Sequence, residues 1–421
     1  MNRHCRSFAF TVLEMMAVLV VIGALVTLLL PAVQSSREMA RRSSCGNNLM
    51  QLGIAIHGYH VAFDHYPMQL SGTDGSTVMN QDNDRRLSYL VGLLPMIEGN
   101  AMWEDIQSPL DRTISDEYEL MMAFDEAVMY GENEDITEDE VANPPPWVRG
   151  GPEPFESRYR PWQSELAAFR CPSDPGTGSL GVGSAGMGRI NYAACLGDAV
   201  IGSESGPMKE VQGRYVFDAE LAAQCAAAMR GIFVPRMRVR PSDVTDGLSH
   251  TVMLGEIATD LGDRDTRTRP VAGPGAAVLR DSPNWGRQCE LFDAERPRFW
   301  QASGSKIAST PDWGRGLRWA DGMPLYTGLN TILSPNRETV MRADCDDCWG
   351  ILPPSSRHQG GVNICFADGS VRFITDSIDS GDSGQPTVYV GSSNPPGSES
   401  PYGLWGAIGT RAGGELRWAL P

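Results

Sequence analysis

The feature that most constrains the fold is an apolar segment at residues 10–30, which reads FTVLEMMAVLVVIGALVTLLL. Its 21 residues carry one charge, that of Glu14. An α-helix rises about 1.5 Å per residue, so a helix of this length spans about 30 Å, the thickness of the hydrocarbon core of a bilayer. We therefore predict a transmembrane helix over residues 10–30.

The residues flanking this segment predict its orientation. Arg3, His4 and Arg6 precede it, and positively charged flanks stay on the cytoplasmic side. The apolar run is longer than that of a secretory signal, and no small-residue cleavage site follows it. We expect a single-pass protein of the bacterial inner membrane, with its C-terminal part in the periplasm or at the cell surface.

Glu14 is the unusual residue of the segment. A lone carboxylate in an apolar membrane helix costs several kcal/mol unless it is neutralised. Cleavage of the chain between Ala9 and Phe10 would create an α-amino group near Glu14. The two opposite charges would then pair within one chain or between packed helices, and the second arrangement would set the register of an assembly.

The residues around this site resemble the start of type IV prepilins and type II secretion pseudopilins. The matching run is AFTVLE at residues 9–14, with Pro31 further along the helix. The resemblance implies that a prepilin peptidase cleaves before Phe10 and methylates the new amino group. It also implies that Glu14 supports assembly with other pilin-like subunits through the N-terminal helix. Ala9 stands where that family usually has Gly.

The rest of the chain predicts an α+β fold. Apolar residues recur at three- and four-residue steps beyond Pro31, so we expect the helix to continue into the soluble part; these residues are Leu49, Leu52, Ile56, Tyr59 and Phe63. Strand and turn signals dominate from Tyr66 onward. The predicted organisation is a leader (1–9), a transmembrane helix (10–30), its soluble continuation (31–65) and an extracytoplasmic domain (66–421) with a Pro-rich loop near 143–161.

Several phrases further along the chain resemble the DUF1559 family of prepilin-like proteins. They are residues 31–67 with CGNNLMQLGIAIHGYH, RCPSD at 170–174, NY at 191–192, DGLSHT at 246–251 running to Glu256, and HQGG at 358–361 running to DGSV at 368–371. In the last phrase, nine residues separate His358 from Asp368-Gly369. The resemblance implies a pilin-like fold, in which a long N-terminal helix packs on an antiparallel sheet with large loop insertions.

The C-terminal phrase, residues 358–371, also predicts local structure independently of the family resemblance. Apolar and other residues alternate over 362–366 and again over 371–373, and Asp368-Gly369 between them is a strong hairpin signal. His358 precedes the first strand. It is either a hydrogen-bonded residue at the end of the sheet, which we favour, or a ligand or acid–base group.

The chain has nine cysteines, of which eight remain if the leader with Cys5 is removed. An even number in an exported protein favours disulfides. We favour pairing of Cys45 with Cys171. Cys345 and Cys348 have the spacing of half a zinc site or a redox pair, but no second Cys-x-x-Cys exists, so a disulfide is again the preferred interpretation.

Other ligand and partner classes are less favoured. The net charge of −17 repels phosphates, so we expect no nucleic-acid binding. Calcium remains a weak alternative at the oxygen-rich segments 82–84 and 376–382, and a metal at His57, His60 and His65 is disfavoured against simple packing. No complete catalytic set can be assembled, and we predict that the chain is not an enzyme, needs no cofactor and holds no metal.

Two functions remain from the sequence. The first is a pilin-like or pseudopilin subunit of a type II secretion or type IV pilus-like system. The alternative is a membrane-tethered protein that binds a solute, polysaccharide or surface partner and uses the pilin leader only for export. Exposed tryptophans would favour the alternative, and buried ones would indicate core packing; those considered are Trp285, Trp300, Trp313, Trp319 and Trp349.

Overall fold

The computed structural model describes residues 12–76, 81–111, 146–177, 186–301 and 306–415, with the backbone only at Glu14. The predicted leader and the processing pair Ala9 and Phe10 lie outside these ranges. The helices described are α1 (Val12–Phe63), α2 (Tyr89–Leu93), α3 (Asn100–Gln107), α4 (Arg160–Gln163), α5 (Ala219–Ala228), α6 (Ala276–Asp281), α7 (Trp285–Gln288), α8 (Pro324–Thr327) and α9 (Gly403–Ile408).

The strands are short and most of them lie in the second half of the chain. They are β1 (Tyr192–Cys195), β2 (Met208–Val211), β3 (Arg214–Phe217), β4 (Val252–Glu256), β5 (Val271–Ala272), β6 (Gly328–Leu329), β7 (Val340–Met341), β8 (Gly350–Ile351), β9 (Gly361–Phe366) and β10 (Val371–Thr375). Strands β2 and β3 form a separate hairpin, and β5, β7 and β8 form a small three-stranded sheet.

Helix α1 has 52 residues and continues through Pro31 without a break. Its first half leaves large apolar side chains uncovered, such as Leu13 and Leu28, whereas Leu49, Leu52 and Ile56 in its second half are fully buried. By length and composition it is the one described helix that could cross a membrane. The predicted apolar face ends earlier than expected, because Phe63 is 55% exposed.

The central sheet has the strand order β10-β9-β4-β1-β6. Neighbouring strands are antiparallel, as predicted, except β1 and β6, which are parallel, so the sheet is mixed at this edge. Helix α1 packs on β9, β4 and β10. Trp405 and Ile408 of α9 pack with the residues of the opposite face. The mixed α+β class with one long N-terminal helix is confirmed.

All six residues of strand β9 are buried, because both faces of the strand are covered. Successive side chains of a strand point to opposite faces. Val362, Ile364 and Phe366 belong to the cluster that contains the α9 residues, whereas Cys365 packs in the core cluster that contains the buried residues of α1. A methyl group added at Gly53 of α1 would lie 2.9 Å from Sγ of Cys365, so helix and strand approach closely there.

The β9–β10 hairpin closes as the alternating pattern predicts. Val371 pairs with Cys365, and the amide of Phe366 donates to the carbonyl of Ser370. The loop therefore has three residues, 367–369, and its last one, Gly369, has φ of +83°. A glycine is favoured there because a left-handed backbone strains other residues.

The Pro-rich segment predicted near 143–161 is described from residue 146 onward. It is irregular in structure, yet Trp147 and Tyr159 are buried in the core and their rings pack edge to face with centroids 5.6 Å apart. The described part is therefore fixed by aromatic packing, in addition to the backbone pairing of Trp147 with Leu110.

Candidate functional site

The sequence phrases that resemble DUF1559 meet at one place, the junction between α1 and the start of β9. Cys45 lies on α1, and Cys171 follows the short 3-10 turn Ala167–Phe169. Their sulfurs are bonded at 2.05 Å, across a sequence separation of 126 residues. The pair is the one favoured from the sequence, and it ties the helix covalently to the loop beside the sheet.

His358 lies beside this disulfide and is almost completely buried. Its Nδ1 is 2.6 Å from Oε1 of Glu38 on α1. An ionised carboxylate can only accept, so the Nδ1–H donates to Glu38. Its Nε2 is 3.5 Å from Oε1 of Glu256 and 3.5 Å from Sγ of Cys171. His358 thus stands between two carboxylates and a disulfide sulfur.

These neighbours change the protonation of His358. Burial favours the neutral ring and lowers the pKa, but the hydrogen bonds and negative charges of Glu256 and Glu38 outweigh it and raise the pKa above 6.5. Protonation is therefore easier in the folded chain than in the unfolded chain. In its charged state His358 joins α1 to the sheet by two ion pairs.

Glu256 ends strand β4 and is 1% exposed. Its Oε2 accepts a hydrogen bond from the backbone amide of Asn363 at 2.8 Å, and its Oε1 accepts one from the Asn363 side chain at 2.9 Å. Both donors come from the neighbouring strand β9. This pairing satisfies a carboxylate that would otherwise be buried at high cost, and it fixes the direction of the carboxylate toward His358.

Asp174, from the RCPSD phrase, organises the loop that carries Cys171. Its two oxygens accept hydrogen bonds from the Asn191 side chain (2.8 Å), from the amide and hydroxyl of Thr259 (2.7 and 2.9 Å) and from the amide of Gly176 (3.0 Å). Asn191 also accepts from the amide of Cys171 at 3.0 Å. Asp174 therefore holds the Cys171 loop to both β1 and the chain after β4.

Three further contacts hold α1 on the sheet at the same level. The Asn48 side chain donates to the carbonyl of Arg170 at 2.8 Å, and the Tyr192 hydroxyl donates to the carbonyl of Cys45 at 3.1 Å. Arg42, one turn before Cys45, has its guanidinium 3.4 Å from the centre of the Phe373 ring on β10. Covalent, ionic and cation–π contacts thus fix the middle of α1 on the sheet.

The two ends of the His-x9-Asp-Gly motif have different positions. His358 lies in the turn just before β9, and Asp368 lies in the hairpin loop beyond the other end of the strand. The Asp368 carboxylate accepts from the amide of Ser370 at 2.9 Å, and its own amide donates to the carbonyl of Leu248. The motif therefore spans one strand that lies against α1, and Asp368 and Gly369 form a turn rather than a part of the His358 site.

The second cysteine pair, Cys345 and Cys348, is also a disulfide, with sulfurs 2.03 Å apart. Asp346 between them bonds the guanidinium groups of Arg86 and Arg318 at 2.8 and 3.0 Å. Burial raises the pKa of Asp346, but these two arginines outweigh burial and hold the pKa below its usual value. The loop is therefore fixed by an ion-pair network as well as by its disulfide.

Four of the described cysteines are not in a disulfide. Cys195, Cys225 and Cys365 are buried free thiols, and Cys289 is a half-buried one. Burial raises the pKa of Cys195, Cys225 and Cys365 to about 12, which disfavours their reactive thiolate forms. These three behave as small apolar core residues.

Among the weaker metal candidates, Asp82, Asp382 and His65 make structural hydrogen bonds. Asp82 accepts from the amides of Ser76 and Asp84, and Asp382 accepts from the amide of Gly384. Nδ1 of His65 is 2.6 Å from the carbonyl oxygen of Tyr66. Within the described ranges one group of His, Cys, Asp and Glu side chains has ligand atoms that converge, within 4.8 Å of one another; its members are Cys45, Cys171, Glu256 and His358.

The five tryptophans considered as a binding platform are core or partly buried residues. Trp300, Trp319 and Trp349 are buried, and Trp285 and Trp313 pack against buried clusters. The indole N–H of Trp300 donates to the carbonyl of Arg269 at 2.7 Å. These residues form no exposed aromatic surface.

Sequence reasoning missed the role of two residues. Glu38 lies in a polar run of α1, and nothing in its surroundings in the sequence marks it as a partner of a residue 320 positions away. Asn363 alternates with apolar residues in β9, which indicated only that it points to the other face. The signal that was present is the DUF1559 resemblance itself, because its separate phrases supply Cys45, Cys171 and Glu256.

The comparisons with known proteins agree with these phrases. The family described as "Protein of unknown function (DUF1559)" matches residues 34–381, which include every residue of the site around His358. No curated protein and no solved structure matches the chain. On the extent of the family match, the chain belongs to the DUF1559 family.

Proposed function

We propose that the chain is a pilin-like subunit of a type II secretion or type IV pilus-like system. In this proposal residues 10–30 cross the inner membrane, a prepilin peptidase cleaves between Ala9 and Phe10, and the soluble domain lies outside the cytoplasm. The observation that carries the proposal is α1, a single helix whose second half is buried on the sheet and whose first half is bare.

The exposed apolar side chains in the first half of α1 need to be shielded from water. Each large aliphatic side chain moved out of water contributes about 1.5–3 kcal/mol, and the described residues from Val12 to Leu30 include many such side chains. Lipid supplies this cover for an isolated subunit, and neighbouring α1 helices supply it in an assembly. The rigid attachment of α1 at Cys45 would then hold each soluble domain at a defined position relative to its membrane helix.

The processing step is tested by intact-mass and N-terminal peptide mass spectrometry on protein purified from its own membranes. We expect a mature chain that starts at N-methylated Phe10. A chain that still starts at Met1 contradicts processing, and would mean that Ala9 blocks the peptidase. The proposal of a pilin-like subunit would then fall.

Assembly is tested by replacing Glu14. If its carboxylate pairs with the amino group of a neighbouring subunit, Glu14→Gln should reduce cross-linked multimers in membranes at least about tenfold, because an unpaired charge in an apolar setting is costly. Glu399→Gln, which removes an exposed carboxylate of the soluble domain, is the matched control and should leave multimers unchanged. Equal multimers in both variants would contradict this role for Glu14.

A membrane-tethered binding protein is the second candidate. The observation in its favour is an open pocket of about 620 Å³ beside α3 and α4, lined by apolar residues such as Met102 and Trp147 and by charged residues such as Asp105 and Arg160. Pockets of this volume and mixed lining suit small ligands. This candidate predicts that no multimer forms in membranes and that Arg160→Ala, which removes an exposed charge of the pocket, weakens ligand binding while the chain stays in the membrane.

A further inference from the structure

The group around the disulfide has the composition of a metal site. Each of its four members offers one ligand atom, and these atoms lie within 4.8 Å of one another; the members are Cys45, Cys171, Glu256 and His358. We propose that these four side chains bind one Zn²⁺ ion when the disulfide is reduced. The inference does not depend on the pilin-like role.

The distances already present suit a tetrahedral ion. Zinc–sulfur bonds of about 2.3 Å and zinc–nitrogen or zinc–oxygen bonds of about 2.0 Å place sulfur about 3.5 Å from nitrogen, and nitrogen about 3.3 Å from oxygen. In the structure, Nε2 of His358 is 3.5 Å from Sγ of Cys171 and 3.5 Å from Oε1 of Glu256. The two sulfurs are too close, at 2.05 Å. They would separate to about 3.8 Å once their bond is broken.

The surroundings of the ligands match those of known metal sites. A metal-binding histidine usually donates its second ring N–H to a carboxylate, which fixes the ring and increases the basicity of the ligating nitrogen. Nδ1 of His358 makes this bond to Glu38 at 2.6 Å, and Nε2 faces the other ligands. The two hydrogen bonds from Asn363 orient Glu256 in the same way. Glu38 and Asn363 are positioning residues.

The ligand set favours zinc over harder ions. Two thiolates and an imidazole are soft or borderline ligands, which select Zn²⁺ over Mg²⁺ or Ca²⁺. All four ligand residues are buried, as in closed structural zinc sites, where no coordination position is left for substrate. Such a site would replace the covalent tie between α1 and the Cys171 loop with a coordinate one.

The chemistry balances with one reductant. A dithiol reductant, such as a thioredoxin-like protein, transfers two electrons and two protons to the disulfide and becomes a disulfide itself. This yields two thiols, and Zn²⁺ displaces their two protons on binding. Removal of zinc and loss of two electrons and two protons to a disulfide oxidant restores the bond. The disulfide state and the zinc-bound state therefore use the same cysteine side chains.

The test uses the full-length chain in detergent, in a Cys345→Ala/Cys348→Ala background that removes the other disulfide. The protein is reduced with a phosphine, and Zn²⁺ binding is measured by competition with a chromophoric chelator. Co²⁺ is used in parallel, because tetrahedral cobalt with thiolate ligands has characteristic visible absorption. The control is the same Cys345→Ala/Cys348→Ala protein left oxidised, because it differs from the test sample only in its Cys45–Cys171 disulfide.

We expect one tightly bound Zn²⁺ per reduced chain and none at this site in the oxidised chain. Glu38→Gln should weaken Zn²⁺ binding by about 10- to 100-fold while the cobalt spectrum keeps its tetrahedral form. His358→Gln should weaken it further and change that spectrum. If the reduced chain unfolds, Zn²⁺ should restore its near-UV circular dichroism, because metal binding and folding are coupled.

Two outcomes would overturn the inference. One is equal Zn²⁺ binding by the reduced background and by its Cys45→Ala/Cys171→Ala variant, which would place the metal elsewhere. The other is a reduced chain that gains neither bound metal nor structure when Zn²⁺ is added. In that case the group is only a disulfide with a hydrogen-bonded histidine beside it.

Discussion

Removing the disulfide between Cys45 and Cys171 should be among the most destabilising changes in the soluble domain. A cross-link restricts the unfolded chain, and the entropy it removes grows with the logarithm of the loop length. The loop closed here has a sequence separation of 126 residues. The chain-entropy relation then gives about 5 kcal/mol at 25 °C for the double substitution Cys45→Ala/Cys171→Ala.

The second disulfide supplies a matched control in the same chain. Cys345 and Cys348 have a sequence separation of only 3, for which the same relation gives about 2 kcal/mol. Both double substitutions remove one disulfide and two sulfur atoms. The difference between them, about 3 kcal/mol, therefore isolates the effect of loop length.

The measurement is urea unfolding of the full-length chain in detergent with a chelator present, followed by tryptophan fluorescence. Trp300 and Trp319 are fully buried, so unfolding of the soluble domain should change their emission strongly. The larger loss of unfolding free energy should belong to Cys45→Ala/Cys171→Ala. Equal losses, or a larger loss for Cys345→Ala/Cys348→Ala, would refute the loop-closure reasoning for this fold.

Three further predictions concern the contacts of α1 and the Cys171 loop. Gly53→Ala should lower the unfolding free energy by about 1–3 kcal/mol, because the new methyl group would lie 2.9 Å from Sγ of Cys365. The additional substitution Cys365→Ala should restore most of it, and urea unfolding measures both. Stability from protonated His358 should be complete below pH about 6.5 and disappear as pH rises through its raised pKa. The melting temperature should therefore fall as pH rises through this range, and Glu38→Gln should make that fall smaller. Asp174→Ala should cost roughly 3 kcal/mol or more in urea unfolding, because it leaves several buried donors without an acceptor.

Each of these has a result that contradicts it. Gly46→Ala, whose new methyl group would lie an ordinary 3.8 Å from Val371, is the control for Gly53→Ala, and equal effects would argue against the close approach. A melting temperature that rises between pH 6 and 8 relative to Glu38→Gln would contradict the pH prediction. If Asp174→Ala unfolds like the unsubstituted chain, the hydrogen bonds around that carboxylate do not hold the loop.

The local elements could be predicted because their signals lie within a few residues. The three- and four-residue spacing of Leu49, Leu52 and Ile56 describes one helix face, and these residues are buried on that face. The alternation around Asp368 and Gly369 predicts the β9–β10 hairpin in the same way. The prediction was wrong at Phe63, since periodicity shows which residues share a face but not where the covering sheet ends.

The site around His358 could be predicted only in parts. Its members come from four separate segments, and the family resemblance pointed to these segments without showing that they meet. The partner of His358 was not predictable, because Glu38 is one of several charged residues on a polar stretch of α1. Contacts between such distant residues depend on how the helix crosses the sheet, which no local pattern encodes.

The sequence by itself determined the long apolar helix, the hairpin and the α+β class, because periodicity and turn chemistry act over short distances. It also indicated the DUF1559 family, which the match over residues 34–381 shows. Only the tertiary structure decided that β6 pairs in parallel with β1 and that four of the described cysteines stay unpaired. It also decided that two carboxylates and a histidine meet beside the disulfide, since packing α1 across β9 and β4 brings together residues that are far apart in the chain.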